Sequence, residues 1–240
     1  MKNRKAYGWV SLVALTAAAA AGFGLQIGCA VAGDAKPAAK MDKAAAKAGK
    51  TVGKPPLLIM KAPMGREIAT FAAGCFWSME SIFKQLKGVA KVEPGYAGGD
   101  VAAPSYEAVG TGTTGHAETV NVVFDPKVIS YSTLLDVLFT VHDPTTLNRQ
   151  GNDEGSQYRS AIFTHSAAQQ VAATDVIKKL NGSKHFESPI VTTVQPFTNF
   201  YRAEDYHLNY YNLHPGESYC RFVIKPKIDK FHAKFADKMK

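Results

Sequence analysis

Residues 33–56 consist largely of Ala, Lys, Gly and Pro, and their only larger apolar side chains are Met41 and Val52. Such a stretch cannot bury enough surface to offset its ordering entropy, so it reads as a flexible linker. Any core must come from about Leu57 onward, which makes 57–240 one folded domain. Charge follows the same division. Nine of the 28 Lys and Arg but only two of the 20 Asp and Glu lie in residues 1–54, so nearly all of the net charge of +8 precedes the folded part. That part is close to neutral and lacks the basic footprint of a nucleic-acid partner. With 3 cysteines the chain is no disulfide scaffold, and a single long apolar run excludes a multi-pass membrane protein.

That run, residues 7–27, follows Lys2, Arg4 and Lys5, the order of an export signal. Ala30-Val31-Ala32 fits a small-x-small cleavage site, giving 1–32 as the signal. Two other readings stay open. Leu25-Gln26-Ile27-Gly28-Cys29 is a degraded lipoprotein signal, with Cys29 as the lipidated residue. A run approaching the ~20 residues that cross a bilayer would also serve as an uncleaved membrane tether. All three put the folded part in the periplasm or cell envelope.

Within the folded part, residues 67–73 read as a strand stopped by Gly74. A helix follows over 76–86, with Phe76, Met79, Ile82, Phe83 and Leu86 at helical spacing. Further strands are expected at 89–92, 118–124, 159–164 and 190–195, the first closed by Glu93-Pro94-Gly95. Ser130 and Ser166 are placed to cap helices over 131–141 and to about 180, and a last helix is expected over 203–213. Residues 95–115 read as irregular with one helical turn near Tyr106, and 142–157 as a long loop of the kind that is usually functional. This alternation predicts an α+β fold, a two-layer α/β sandwich on a mixed or antiparallel sheet with a ferredoxin-like core, ending in a long irregular tail.

Cys75 falls at the first turn of a helix, where free backbone N–H groups and the helix dipole favour a thiolate. Taken alone, it reads equally as a small buried hydrophobe. Phe76 and Trp77 offer aromatic walls beside the sulfur. Glu118 follows a glycine-rich loop, and a carboxyl buried near aromatics would have a raised pKa suited to a general acid. Tyr106, Asp153 and Tyr158 supply polar groups from the loops. The 7 histidines show no pair at metal-ligand spacing and read mostly as surface residues. No metal or cofactor site is expected, since no dinucleotide fingerprint or phosphate loop is present.

These residues recur in an ordered series: Gly74-Cys75-Phe76-Trp77 with Glu80, Gly95-Tyr96-Ala97-Gly98-Gly99, Pro104-Ser105-Tyr106, Gly115-His116-Ala117-Glu118, His142-Asp143-Pro144, and Gln150-Gly151-Asn152-Asp153 through Ser160. Together they resemble the peptide methionine sulfoxide reductases of the A class, over about residues 66–225. The resemblance implies that Cys75 attacks the sulfur of methionine-S-sulfoxide, in proteins, peptides or the free amino acid. It implies that Glu118 protonates the departing oxygen, that Tyr106 and Tyr158 hydrogen-bond it, and that Phe76 and Trp77 hold the substrate methyl group. Asp153 would organise the site through water. The products are methionine and a sulfenic acid on Cys75. Cys220, in Gly216-Glu217-Ser218-Tyr219-Cys220, is similar to the recycling cysteine of one family branch. A mobile tail would bring it to Cys75 as a disulfide, which a thioredoxin-like reductant then opens. Ser78 departs from the glycine common after the motif's Trp.

Two rival readings remain: a thiol hydrolase with His116 as base, and a non-catalytic module that binds methionine-rich segments through Phe76 and Trp77. In an oxidising envelope the cysteine pair would tend to stay a disulfide, so an exported or membrane-fed reductant is expected. The chain is expected to work as a monomer.

Overall fold

Strand β1 (Glu67–Ala73) lies between two antiparallel neighbours and sets the frame for the domain. The structure, a computed structural model, describes residues 62–240. The readings of 1–32 as a signal, of 33–56 as a linker and of Leu57 as the start of folding lie outside the described residues. Helix α1 (Phe76–Lys84) leads from β1 to β2 (Val89–Ala97), a short helix α2 (Tyr106–Gly110) follows, and β3 (Ala117–Phe124) returns between them. Helix α3 (Tyr131–Val141) is followed by a two-stranded hairpin, β4 (Arg149–Gln150) and β5 (Asp153–Glu154). The chain continues through β6 (Ser160–Thr164), α4 (Ala167–Gly182), β7 (Thr193–Pro196) and β8 (Phe200–Arg202). It ends with α5 (Tyr210–Leu213) and α6 (Lys225–Phe235).

The sheet order is β7-β6-β1-β3-β2-β8. Its four central strands are antiparallel and carry the split β-α-β connection of a ferredoxin-like core; β7 joins parallel to β6 at one edge. Alternation along the strands points Phe71 of β1 and Val120, Val122 and Phe124 of β3 to one face. There they pack with Ile82 and Phe83 of α1, Leu134 and Leu138 of α3, and Phe231 of α6, all fully buried. Ser130 and Ser166 cap their helices as expected, accepting the backbone N–H of Thr133 and Gln169.

Four expectations need correction. Strand β2 runs through Pro94, whose neighbour on the sheet edge asks only for its carbonyl: Ala203 N donates to Pro94 O at 2.9 Å. The 142–157 loop contains the β4–β5 hairpin. The helix expected over 203–213 is instead a 3-10 turn (Asp205–His207) and the short α5, divided by Asn209 at φ +58. Its N–H donates to the buried Glu80 carboxyl at 2.9 Å. The tail is irregular only to Tyr219. A π-turn at Cys220–Ile224 leads into α6, because Ile224, Ile228, Phe231 and Phe235 form a helical stripe that buries against the core.

Candidate active site

Gly74, at φ +79, turns β1 into α1, and a Cβ there would meet Gln150 Cβ at 2.6 Å. This close approach lays the β4–β5 hairpin against the start of α1. Cys75 occupies the N-cap position, but its side chain makes no capping bond. Glu118 from β3 supplies that bond, its Oε2 accepting Phe76 N–H at 3.0 Å. Ser78 donates to the Cys75 carbonyl at 2.8 Å.

The carboxylate therefore takes the helix-terminal N–H that a thiolate would have used. Cys75 is buried, and its thiol is pushed up by burial first and then by the negative fields of Glu118 and Asp153. The expected depressed thiol is thus reversed in this closed arrangement: burial outweighs the helix end. Glu118 behaves as anticipated. Burial pushes its carboxyl up to about 8, against the pull of the Phe76 N–H. At neutral pH the site holds a thiol and a protonated acid side by side.

The half-buried Tyr106 is held by Glu204, whose Oε1 accepts Tyr106 N–H at 2.9 Å while Oε2 accepts the Tyr96 hydroxyl at 2.6 Å. Burial keeps the Tyr106 and Tyr158 phenols raised, with Glu118 and Cys75 both acting on them, so each remains a proton donor. Phe76 and Trp77 line the site with His207, whose ring lies 5.0 Å from Phe76, 5.7 Å from Trp77 and 4.4 Å from Tyr106. Trp77 Nε1 donates to His207 Nδ1 at 3.0 Å, and Tyr210 stacks on the indole at 3.8 Å.

Asp153, set by the hairpin, accepts the Tyr219 hydroxyl at 2.6 Å. That phenol also hydrogen-bonds Cys75 and meets Trp77 edge-on at 5.8 Å. Cys220 follows directly. It is a free thiol, fully buried in the π-turn rather than carried on a mobile tail, because Ile224 and α6 anchor the segment that holds it.

The structure thus brings Cys75, Phe76, Trp77, Tyr106, Glu118, Asp153 and Tyr158 together, with Cys220 one residue behind Tyr219. Sequence reading missed His207, Glu204, Tyr210, Tyr219 and Lys227. The crowding of acids and aromatics in Glu204-Asp205-Tyr206-His207 and the contact of Tyr219 with Cys220 in sequence were the available signals. His116, His142 and His207 are buried, contrary to the expectation of surface histidines; each fills a polar slot in the interior. His116 accepts Gly99 N–H at 3.2 Å through Nδ1, and its Nε2 lies 2.8 Å from Val101 O. Both nitrogens are committed to the loop, which takes His116 away from the role of base that the thiol-hydrolase reading gave it.

A buried thiol, a protonated carboxyl and two neutral phenols beside aromatic walls suit a thiol-dependent oxidoreductase. The chain belongs to the peptide methionine sulfoxide reductase family, whose model matches residues 67–239, and it is an A-class enzyme acting on the S-oxide. Among its relatives, peptide methionine sulfoxide reductase MsrA of Thermus thermophilus is 53% identical over 172 residues, 72% of this chain and 97% of the relative. MsrA of Polynucleobacter asymbioticus is 52% identical over 169 residues, 70% of this chain and 89% of the relative. The crystal structure of reduced Mxr1 from Saccharomyces cerevisiae is similar with a TM-score of 0.62 at 35% identity, covering 68% of this chain and 94% of that one. Methionine sulfoxide reductase A of Corynebacterium diphtheriae gives a TM-score of 0.58 at 34% identity, covering 64% and 77%.

Proposed function

We propose that the enzyme repairs oxidised methionine in the cell envelope through a Cys75 sulfenic acid, with Cys220 resolving it. The observation that carries the chemistry is the pairing of the Cys75 thiol with a Glu118 carboxyl still protonated at neutral pH. Substrate sulfoxide enters the Phe76–Trp77 pocket with its oxygen toward Tyr106, Tyr158 and Glu118. Polarised by their protons, the sulfoxide sulfur becomes the electrophile that Cys75 attacks. The substrate S–O bond breaks as the oxygen passes to the Cys75 sulfur, so methionine leaves reduced by two electrons and Cys75 is oxidised by two electrons to S–OH. Cys220 then displaces water to give a disulfide, and an external dithiol of the thioredoxin type returns two electrons and two protons. Asp153 and Tyr219 hold the sulfur side of the site between turnovers.

Export is supported by Lys2, Arg4 and Lys5 ahead of the apolar run and by Ala30-Val31-Ala32, with lipidation at Cys29 and a retained anchor as the other forms of the leader. Among the described residues no helix is long and apolar enough to cross a membrane. We take the working enzyme to be a monomer.

The deciding test is dithiothreitol-driven turnover of both sulfoxide epimers in a methionine sulfoxide peptide by the full chain. Consumption of the S epimer alone, abolished by Cys75→Ser, is expected. Persistence of both epimers with folded, reduced protein would overturn the assignment of these residues.

A further inference from the structure

Lys227 stands in the first turn of α6, just past the π-turn that holds Cys220. Its neighbour Lys225 reaches out to Asp229 at 2.7 Å. Lys227 points the other way: its Nζ is buried and has no hydrogen-bond partner among the described residues. A buried ammonium carries three donors and no acceptor, so its location is costly unless negative charge lies close by. Burial comes first and lowers its pKa, while three groups of the active site, Cys75 ahead of α1, Asp153 on β5 and Glu118 on β3, act the other way and favour the ammonium. In turn it favours the ionised form of each. His142, at the end of α3, is held neutral by burial first, with the Lys227 charge acting in the same direction. Around the same site burial raises Tyr106, Tyr158, Tyr210 and Tyr219, which stay neutral, raises the Cys220 thiol and lowers the His207 imidazole.

The balance of charge around Cys75 is otherwise unfavourable to catalysis. Two carboxyls oppose a thiolate, and the helix N–H is occupied by Glu118. Among the described residues, the Tyr219 hydroxyl and the Lys227 ammonium act on the sulfur in the stabilising direction. We propose that Lys227 is a positioning residue whose buried, unpaired ammonium is the counter-charge that lets Cys75 become a thiolate. The inference rests on Cys75 being the attacking thiol, and it adds a role for the helix behind Cys220 that is separate from resolution.

Alkylation of Cys75 by iodoacetamide tests this without any sulfoxide. The reduced full chain is labelled across pH 5–11, and Cys75 is followed by peptide-resolved mass spectrometry in the wild type, Lys227→Met and Lys227→Arg. Removing this opposite charge should raise the midpoint by about one pH unit or more, with about tenfold slower labelling at pH 8. Lys227→Arg should keep the wild-type midpoint. A Lys227→Met protein that melts like the wild type with an unmoved midpoint overturns the proposal, as does an arginine variant shifted as far as the methionine one. If Lys227→Met does not fold, Lys227→Gln is read in the same way, and the arginine comparison stands by itself. Loss of reductase activity with an unshifted alkylation profile counts against Lys227 as the counter-charge while leaving the reductase assignment intact.

Discussion

Glu118 caps the helix that carries Cys75: its Oε2 accepts the Phe76 N–H at 3.0 Å across the gap between β3 and α1. One hydrogen bond thus fixes the acid, the first pocket residue and the thiol in a single unit. It also explains why Cys75 caps nothing itself. Glu118→Gln keeps an acceptor for that N–H and removes the proton. Reduction should slow by about 10²–10⁴-fold, the range of a general acid, with little change in KM. In the wild type the rate should fall as pH rises through about 8, where the carboxyl ionises. Single-turnover kinetics from pH 6 to pH 10 checks both, and a Gln variant that keeps the alkaline limb would contradict the assignment.

The same carboxyl makes stability depend on pH. Its folded pKa is raised to about 8 from the ordinary 4.5. Below the lower value both states are protonated and the burial is tolerated. Between the two, only the unfolded chain ionises, so stability falls as pH rises and levels off above 8. The loss is on the order of a few kcal/mol for a shift of this size. Urea titrations at pH 5 and pH 9 should show a smaller difference for Glu118→Gln than for the wild type.

His207 is tied to Trp77, which donates to its Nδ1 at 3.0 Å, so the proton of the neutral ring must sit on Nε2. That nitrogen has no hydrogen-bond partner among the described residues and lies 3.9 Å from Glu204 Oε2. Burial pushes the imidazole down to about 3, so it stays neutral at any pH where the enzyme works. His207→Phe would leave a buried indole N–H unpaired, at a cost of about 1–3 kcal/mol. If the indole walls the substrate pocket as proposed, KM should rise more than kcat falls. Thermal melts with steady-state kinetics give both numbers.

Much of this was legible in the chain. Strand β1, helix α3 and the serine caps follow from alternation, helical spacing and cap chemistry, which act within a few residues. The residues of the Cys75 and Glu118 motifs were readable for the same reason: each motif is local. What failed was non-local. Asn209 breaks the expected helix because Glu80, far away on α1, holds its N–H. The thiol of Cys75 is raised because elements from β3 to α6 close over it, and no local pattern reports that burial. Nothing local marks Lys227, and only packing shows which lysine of the Lys225-Pro226-Lys227 stretch turns inward.

Cys220 sits fully buried in a π-turn, a form of helix that is rare and often marks functional sites. A disulfide with Cys75 requires the two Cα atoms within about 4.4–6.8 Å, with side chains facing. In this structure both thiols are free, and Tyr219, one residue ahead, is hydrogen-bonded to Cys75. Pairing is expected to displace the Tyr219 hydroxyl from Cys75 and to open the turn that buries Cys220. Cys220→Ser should release about one equivalent of methionine per enzyme and then stop, leaving a Cys75 sulfenic acid that dimedone traps. The wild type should continue with a thioredoxin-like dithiol. Amides at 220–224 should exchange faster in the oxidised wild type than in the reduced form, and unchanged exchange would mean that Cys220 reaches Cys75 without opening the turn.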